Sequence, residues 1–162
     1  MFYCVDCYCV YLCGKFHLNK RIMNREILFR GFDGTKWYYG DLEYNRKDDV
    51  ARIHTYNEDG SYCRQHTVYP DTVGQFTGLV DKNGVKIFEG DIVKHPYIDP
   101  IFRDLVESKD GDGVTSEVVF HDGAFCVKYD INDFIYLDSF TRHGHVEVVS
   151  NIHDNSELLA AK

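Results

Sequence analysis

The chain lacks the features that would place it in a membrane or on a nucleic acid. No apolar run approaches the roughly 20 residues that span a bilayer, and residues 2–12, the one targeting candidate, carry Asp6 and no basic start. Basic residues are scattered, and 18 Lys and Arg against 26 Asp and Glu give a formal charge of -8. Such a charge repels phosphate backbones and anionic lipid heads. We therefore expect neither direct nucleic-acid binding nor membrane contact.

Cysteine is nearly absent from most of the chain. Four of the six cysteines fall in the first thirteen residues, and only Cys63 and Cys126 occur after them. A secreted disulfide scaffold distributes its cysteines through the fold, so this distribution predicts a reducing compartment. We expect the protein in a cytoplasm.

The composition changes sharply near Met23. Residues 1–22 are rich in Cys and Tyr, whereas acidic turns and alternating strands follow directly after Met23. We expect residues 1–22 to be a leader outside the core, either a disordered tail or the product of an upstream start codon chosen in error. Residues 23–162 are expected to form a single β domain, because 44% hydrophobic residues suffice for a packed core.

After Met23 the chain predicts short strands joined by tight turns. Hairpins are expected around residues 33–34, 57–60, 81–84 and 121–123, where glycine can take the φ > 0 conformation. Asn83-Gly84 in particular predicts a type I′ turn, with both residues at φ > 0.

The second half of the chain is less regular. Residues 95–115 hold two prolines and many acidic residues, which predicts a long exposed loop with a helical turn near residues 102–108. Two more strands are expected over residues 134–140 and 146–152, then a short helix capped by Asn155. About nine strands at roughly 8 to 12 residue spacing predict a mainly β fold, either a partly open β-barrel or a sandwich of short antiparallel strands.

Three blocks of sequence resemble the YopX family of phage and prophage proteins. They are residues 26–33 (EILFRGFD), 74–93 (GQFTGLVDKNGVKIFEGDIV) and 151–159 (NIHDNSELL), and together the resemblance spans residues 25–159. Ser156 departs from the proline that the family usually has at this helix start, a mild change because a first turn tolerates both. The resemblance implies a largely β, partly open barrel encoded by a phage or prophage, and it implies no catalytic residue. With the reducing compartment expected above, it implies the cytoplasm of a bacterial host.

Two clusters carry side chains that bind metals. Residues 4–13 hold four thiols, but a tetrahedral zinc site usually has two Cys-x-x-Cys pairs far apart in sequence. His143, His145 and His153 offer imidazoles, yet Gly144 indicates a turn and no carboxylate is placed to orient the rings. We predict no metal site and no cofactor.

One pair of residues could supply a nucleophile and a base. His54 and Cys63 face each other if residues 57–60 form a four-residue turn with a bulge; if Asp59-Gly60 is a two-residue turn, His54 faces Gln65 instead. Neither arrangement offers an orienting group or an oxyanion pocket. We predict no catalytic residue.

Two further stretches could bind a cation or a macromolecule, but ordinary loop and turn structure explains each of them. The carboxylates within residues 99–112 lack the order of a calcium loop, and a solvated loop explains them. Residues 90–93 (GDIV) resemble a step in small SH3-like barrels that bind RNA or peptides. A turn into a buried strand also explains them, with Gly at the bend, Asp in an Asx turn, and Ile and Val in the core.

The sequence leaves three functions open. The leading hypothesis is a non-enzymatic accessory protein that contacts an unidentified partner protein or further copies of itself through exposed strand edges. The second is an acidic decoy that imitates DNA, although its carboxylates are scattered. The third is an enzyme of unrecognised type, although no phosphate loop, dinucleotide fingerprint or Gly-x-Ser-x-Gly elbow occurs.

Overall fold

The computed structural model describes residues 26–98, 105–106, 113–130, 133–142 and 144–159, so the leader prediction for residues 1–22 lies outside it. The strands in these ranges are β1 Phe29–Phe32, β2 Trp37–Asn45, β3 Val50–Tyr56, β4 Tyr62–Val68, β5 Gly74–Val80, β6 Lys86–Phe88, β7 Asp91–His95, β8 Tyr97–Ile98, β9 Leu105–Val106, β10 Val114–His121, β11 Ala124–Asp130, β12 Asp133–Tyr136 and β13 Glu147–Asn151. A short helix α1 covers Asp138–Thr141, and 3₁₀ turns cover Pro70–Thr72 and Ser156–Leu159.

The strands form two main antiparallel sheets that pack as a sandwich. A six-stranded sheet runs in the order β4-β3-β2-β1-β5-β6, and a five-stranded sheet runs β12-β11-β10-β7-β13. The sheets do not close into a barrel. The mainly β prediction is confirmed, and the sandwich is the alternative that fits.

The buried apolar residues form two clusters. The larger joins both sheets and α1 through fully buried residues: Ile87, Val93, Val118, Val127, Leu137, Phe140 and Val146. The smaller, around Ala51, Ile53 and Val68, lies on the six-stranded sheet and packs against partly buried residues of β1 and β2. Each fully buried large apolar side chain contributes about 1.5–3 kcal/mol relative to exposure, so the larger cluster dominates the packing.

The turn residues behave largely as their sequences predict. Gly34, Gly60, Gly84 and Gly123 all have φ between 80° and 97°. The type I′ prediction is wrong for Asn83, because Asp122 and Asp49 are the non-glycine residues with positive φ in the described ranges. Gly84 N–H instead donates to Asp81 O (3.0 Å) and Asp81 N–H to Val85 O (2.8 Å), which makes a type I turn closed by a left-handed glycine.

Two predicted elements after β7 are also wrong. Within the expected loop of residues 95–115, β8 and β9 pair with each other, so Leu105–Val106 is strand where a helical turn was expected. The strand predicted over residues 134–140 ends at Tyr136, and α1 follows. The reason is burial: the helical turn directs both Leu137 and Phe140 into the larger cluster, where an extended chain would place them on different faces.

The end of the chain is a short helical turn, as expected. Ser156–Leu159 is 3₁₀ and lies against β10, where Thr115 Oγ1 donates to Leu158 O (3.1 Å). In the described ranges no helix has the length and apolarity needed to cross a membrane.

Candidate functional site

A buried ion pair joins the two sheets at the centre of the molecule. Arg30 lies on β1 and Asp91 at the start of β7, and Arg30 Nη1 donates to Asp91 Oδ1 at 2.5 Å. Their side chains are 7% and 2% exposed. Asp91 Oδ2 also accepts from Phe88 N–H (2.7 Å). Breaking a buried pair leaves one charge uncompensated, so each partner fixes the other.

The guanidinium of Arg30 is enclosed on several sides. Nη2 donates to Glu89 O (3.0 Å), and the guanidinium carbon lies 4.8 Å from the ring centre of Trp37 and 5.2 Å from that of Phe88. Nε is buried without a hydrogen-bond partner among the described residues. Burial raises the pKa of Asp91, and the guanidinium of Arg30 opposes that rise.

The chain crosses from one sheet to the other at Gly90. Glu89 N–H donates to Gln75 O in the six-stranded sheet, whereas Gly90 N–H donates to Val118 O in the five-stranded sheet. Gly90 has φ of 80°, a conformation that other residues rarely adopt. Gly90 O then accepts from Ile152 N–H (2.9 Å). Arg30, Gly90 and Ile152 come from the three family-like blocks, so the fold brings all three blocks together at this crossing.

A cleft of about 490 Å³ opens above the ion pair. Arg30, Asp91 and Phe88 line it on the inside, and two outermost strands flank it: β6 of one sheet and β13 of the other. Tyr39, Val85 and Val149 also line it and are 42% to 50% exposed. The cleft therefore combines exposed apolar side chains with a charged, buried interior, a composition typical of binding clefts.

Asp81 links the β5–β6 turn to β13 beside this cleft. Its Oδ1 accepts from Asn83 N–H (2.8 Å) and Val85 N–H (2.9 Å), and its Oδ2 from Val148 N–H (3.1 Å). Burial alone would raise the pKa of Asp81, but the three backbone donors outweigh burial and lower it. Lys82 adds an ion pair to Glu147 (2.7 Å), so the turn and β13 are joined by two polar contacts.

The cleft offers several kinds of contact to a ligand. Its lining includes the polar side chains of Lys86, Ser150 and Asn151, and both oxygens of Asp91 accept hydrogen bonds within the protein. The exposed rim residues add apolar contact, and the two outermost strands add strand edges.

The proposed pairing of His54 with Cys63 is not formed. A register shift lies between Thr55 and Tyr56, so His54 pairs with Gln65, the second of the two predicted alternatives. The turn itself is the four-residue form, since Gly60 N–H donates to Asn57 O. A β-bulge at Cys63 causes the difference. His54 Nε2 contacts Glu43 Oε2 at 2.8 Å, on the opposite neighbour β2.

The other predicted sites divide into described and undescribed residues. The cysteines of residues 4–13, the carboxylates of residues 99–112 and His143 lie outside the described residues. His153 packs against Trp37, with ring centres 5.8 Å apart. Where the structure describes the chain, no three His, Cys, Asp or Glu side chains group as a metal site.

Arg30 is the site residue that sequence reasoning missed. A single Arg in an alternating strand resembles a solvent-facing residue, and nothing nearby in sequence identifies its partner 61 positions away. Asp91 was recognised only as a turn residue. Two features of the sequence could have identified the pair. Arg30 and Asp91 both lie inside the family-like blocks, and both blocks contain aromatic residues that can cover a guanidinium.

Comparisons with known proteins agree with the fold. The family model described as YopX protein matches residues 28–160. The structure is similar to the crystal structure of protein EF1440 from Enterococcus faecalis, with a TM-score of 0.50 and 21% sequence identity, over 83% of this chain and 99% of that chain. A search of curated proteins found no significant match.

Proposed function

Because the chain belongs to the YopX family, we propose that it is a phage- or prophage-encoded accessory protein that is not an enzyme and works by contact with another protein. The observation that carries the proposal is the cleft between β6 and β13 with its exposed rim residues Tyr39, Val85 and Val149. Exposed apolar side chains grouped around one cleft are typical of interaction sites.

The strand edges beside the cleft suggest the form of the partner. β6 and β13 are each the outermost strand of their sheet in the described part of the chain. An extended segment can add to such an edge and place alternate side chains in the neighbouring cleft. The register shift between Val148 and Ser150 interrupts β13, so β6 is the edge better suited to pairing.

The DNA-imitating decoy receives less support. A decoy needs rows of free carboxylates, whereas several carboxylates of this chain are paired with cations: Asp91 with Arg30, Glu26 with Lys86, Glu147 with Lys82 and Glu43 with Arg52. Pairing removes them from a continuous negative surface.

Capture of partners from a bacterial host lysate tests the proposal. The bait is the full chain, and the variant Val149→Lys places a charge at the apolar rim. Tyr136→Lys on β12 is the matched control, because Tyr136 is exposed at the other edge of the same sheet. We expect a partner that survives high salt and is lost only with Val149→Lys. Equal capture by all three baits would contradict the cleft as the contact site, and salt-sensitive capture of DNA-binding proteins would favour the decoy.

A further inference from the structure

One end of the sandwich leaves a core-facing aromatic residue uncovered. Val118 and Phe120 are two residues apart on β10 and therefore share a face. Val118 is fully buried in the larger cluster, yet Phe120 is 55% exposed. A large apolar side chain on the inner face of a sheet is normally covered, so the exposure of Phe120 needs an explanation.

Phe120 borders a groove of about 670 Å³. The groove lies between the tip of the β10–β11 hairpin and strand β5, and Phe76, Val80 and Phe125 also line it. Phe125 contacts Phe120 edge to face, with ring centres 5.2 Å apart, and Val80 is 48% exposed. The exposed ring of Phe120 and a groove of mixed polar and apolar lining therefore lie side by side.

The charges beside this groove cancel. Glu26 and Lys86 both line it and form an ion pair of 2.7 Å, and Lys86 Nζ lies 5.2 Å from the ring centre of Phe76. The chain as a whole carries a charge of -8, so most faces of two copies repel each other. The residues that line the groove hold one charge of each sign, so the lining itself carries no net charge.

We propose that the groove binds a second copy of the chain across a two-fold axis. In such a contact the same patch is used twice, so a ring beside a groove and a cation beside an anion are complementary to themselves. Phe120 of each copy enters the groove of the other, and Glu26 of one copy pairs with Lys86 of the other. This dimer goes beyond the proposed function: Lys86 lines both the groove and the cleft, but Phe120, Val80 and Phe125 line the groove and not the cleft.

Sedimentation analysis of the full chain over a concentration series tests the apolar part of the contact. The wild-type chain is expected to dimerise, and Phe120→Ser is expected to weaken the dimer roughly ten- to hundred-fold. Tyr136→Ser is the matched control, since Tyr136 is 60% exposed on β12 of the same sheet. A wild-type monomer at every concentration, or equal dimerisation of Phe120→Ser and wild type, overturns the proposal.

A charge exchange tests the two-fold arrangement itself. Glu26→Lys alone and Lys86→Glu alone each place like charges opposite each other, so each variant is expected to dimerise more weakly than wild type. Mixed in equal amounts, with one variant uniformly ¹⁵N-labelled so that the masses differ, they restore opposite charges and should form a heterodimer that native mass spectrometry resolves. An ion pair within one copy cannot produce this heterodimer, so its absence overturns the proposal. Because purified protein is used, neither result depends on the lysate partner of the cleft.

Discussion

Replacing Asp81 should reveal how strongly one carboxylate couples the turn to β13. Two of its three donors, Asn83 N–H and Val85 N–H, belong to exposed residues, so water can replace Asp81 there. The third, Val148 N–H, belongs to a half-buried residue that packs against the larger cluster, so water replaces Asp81 less readily there. Hydrogen bonds to a charged group contribute about 1.5–3 kcal/mol. We expect Asp81→Ala to lower the free energy of unfolding by about 3 kcal/mol.

The substitution Asp81→Asn isolates the bond to Val148. The amide oxygen can still accept from the two turn donors, but the amide NH₂ then faces Val148 N–H, donor to donor. We expect a loss of about 2 kcal/mol, because one half-buried bond is removed. Urea unfolding followed by the fluorescence of Trp37, the single tryptophan, measures both losses.

The pH dependence of the same pair of proteins gives the decisive comparison. The pKa of Asp81 in the folded protein is below its ordinary value of 3.8. The carboxylate therefore stabilises the fold above pH 3.8, and this contribution is lost as the pH falls through the folded pKa. The difference in the free energy of unfolding between wild type and Asp81→Asn should therefore be largest at neutral pH and should shrink below pH 3.8. If this difference is absent at neutral pH, or does not change in acid, the charge of Asp81 does not stabilise the fold through Val148 N–H.

Three further outcomes are expected. Gly84→Val forces a β-branched residue to φ near 81° and should lower the free energy of unfolding by about 1–3 kcal/mol. Asn83→Ala should lower it far less, because Asn83 is not in the left-handed conformation. A larger loss for Asn83→Ala than for Gly84→Val in denaturant melts would contradict the type I turn. Arg30→Met should cost about 3–5 kcal/mol by leaving Asp91 unpaired. Adding Asp91→Leu should recover part of this loss, because the unpaired charge is removed although Phe88 N–H loses its acceptor. A double-mutant cycle without coupling would contradict the buried pair. In calorimetry, the fragment 23–162 should melt cooperatively at the same temperature as the full chain. Loss of that transition would show that residues 1–22 are required for folding. A rise in the melting temperature of the full chain on adding zinc would support a metal site at the cysteines of residues 4–13.

Local turn chemistry explains why much of the fold could be predicted. Turn-forming pairs of residues favour a tight turn through their own backbone preferences, with little dependence on distant residues. The pairs in this chain are Asp59-Gly60, Asn83-Gly84 and Asp122-Gly123. The hairpins around them therefore follow from a few neighbouring residues. The errors at Asn83 and Cys63 are shifts of turn type and register within correctly placed hairpins.

Long-range packing explains why the site could not be predicted. β1 pairs with β5 as well as with its hairpin partner β2, and β7 pairs with β10 and β13. No hairpin pattern indicates the pairings with β5, β10 and β13. The pairing of Arg30 with Asp91 depends on these connections. Phe140 likewise lies in a helix because that conformation buries its side chain in the larger cluster. The neighbouring residues in the sequence do not reveal this packing.

The position of β13 has a consequence for synthesis on the ribosome. β1 to β4 pair with near neighbours in sequence and can form as soon as they emerge, whereas β7 lacks its second neighbour until residues 147–151 have been made. Val148 N–H also reaches Asp81 across 67 positions. Contacts over such separations form slowly, and a nascent chain folds from its N-terminal side first. A chain that stops before Glu147 would thus leave β7 with an open edge, an aggregation-prone product that cellular proteases would be expected to remove.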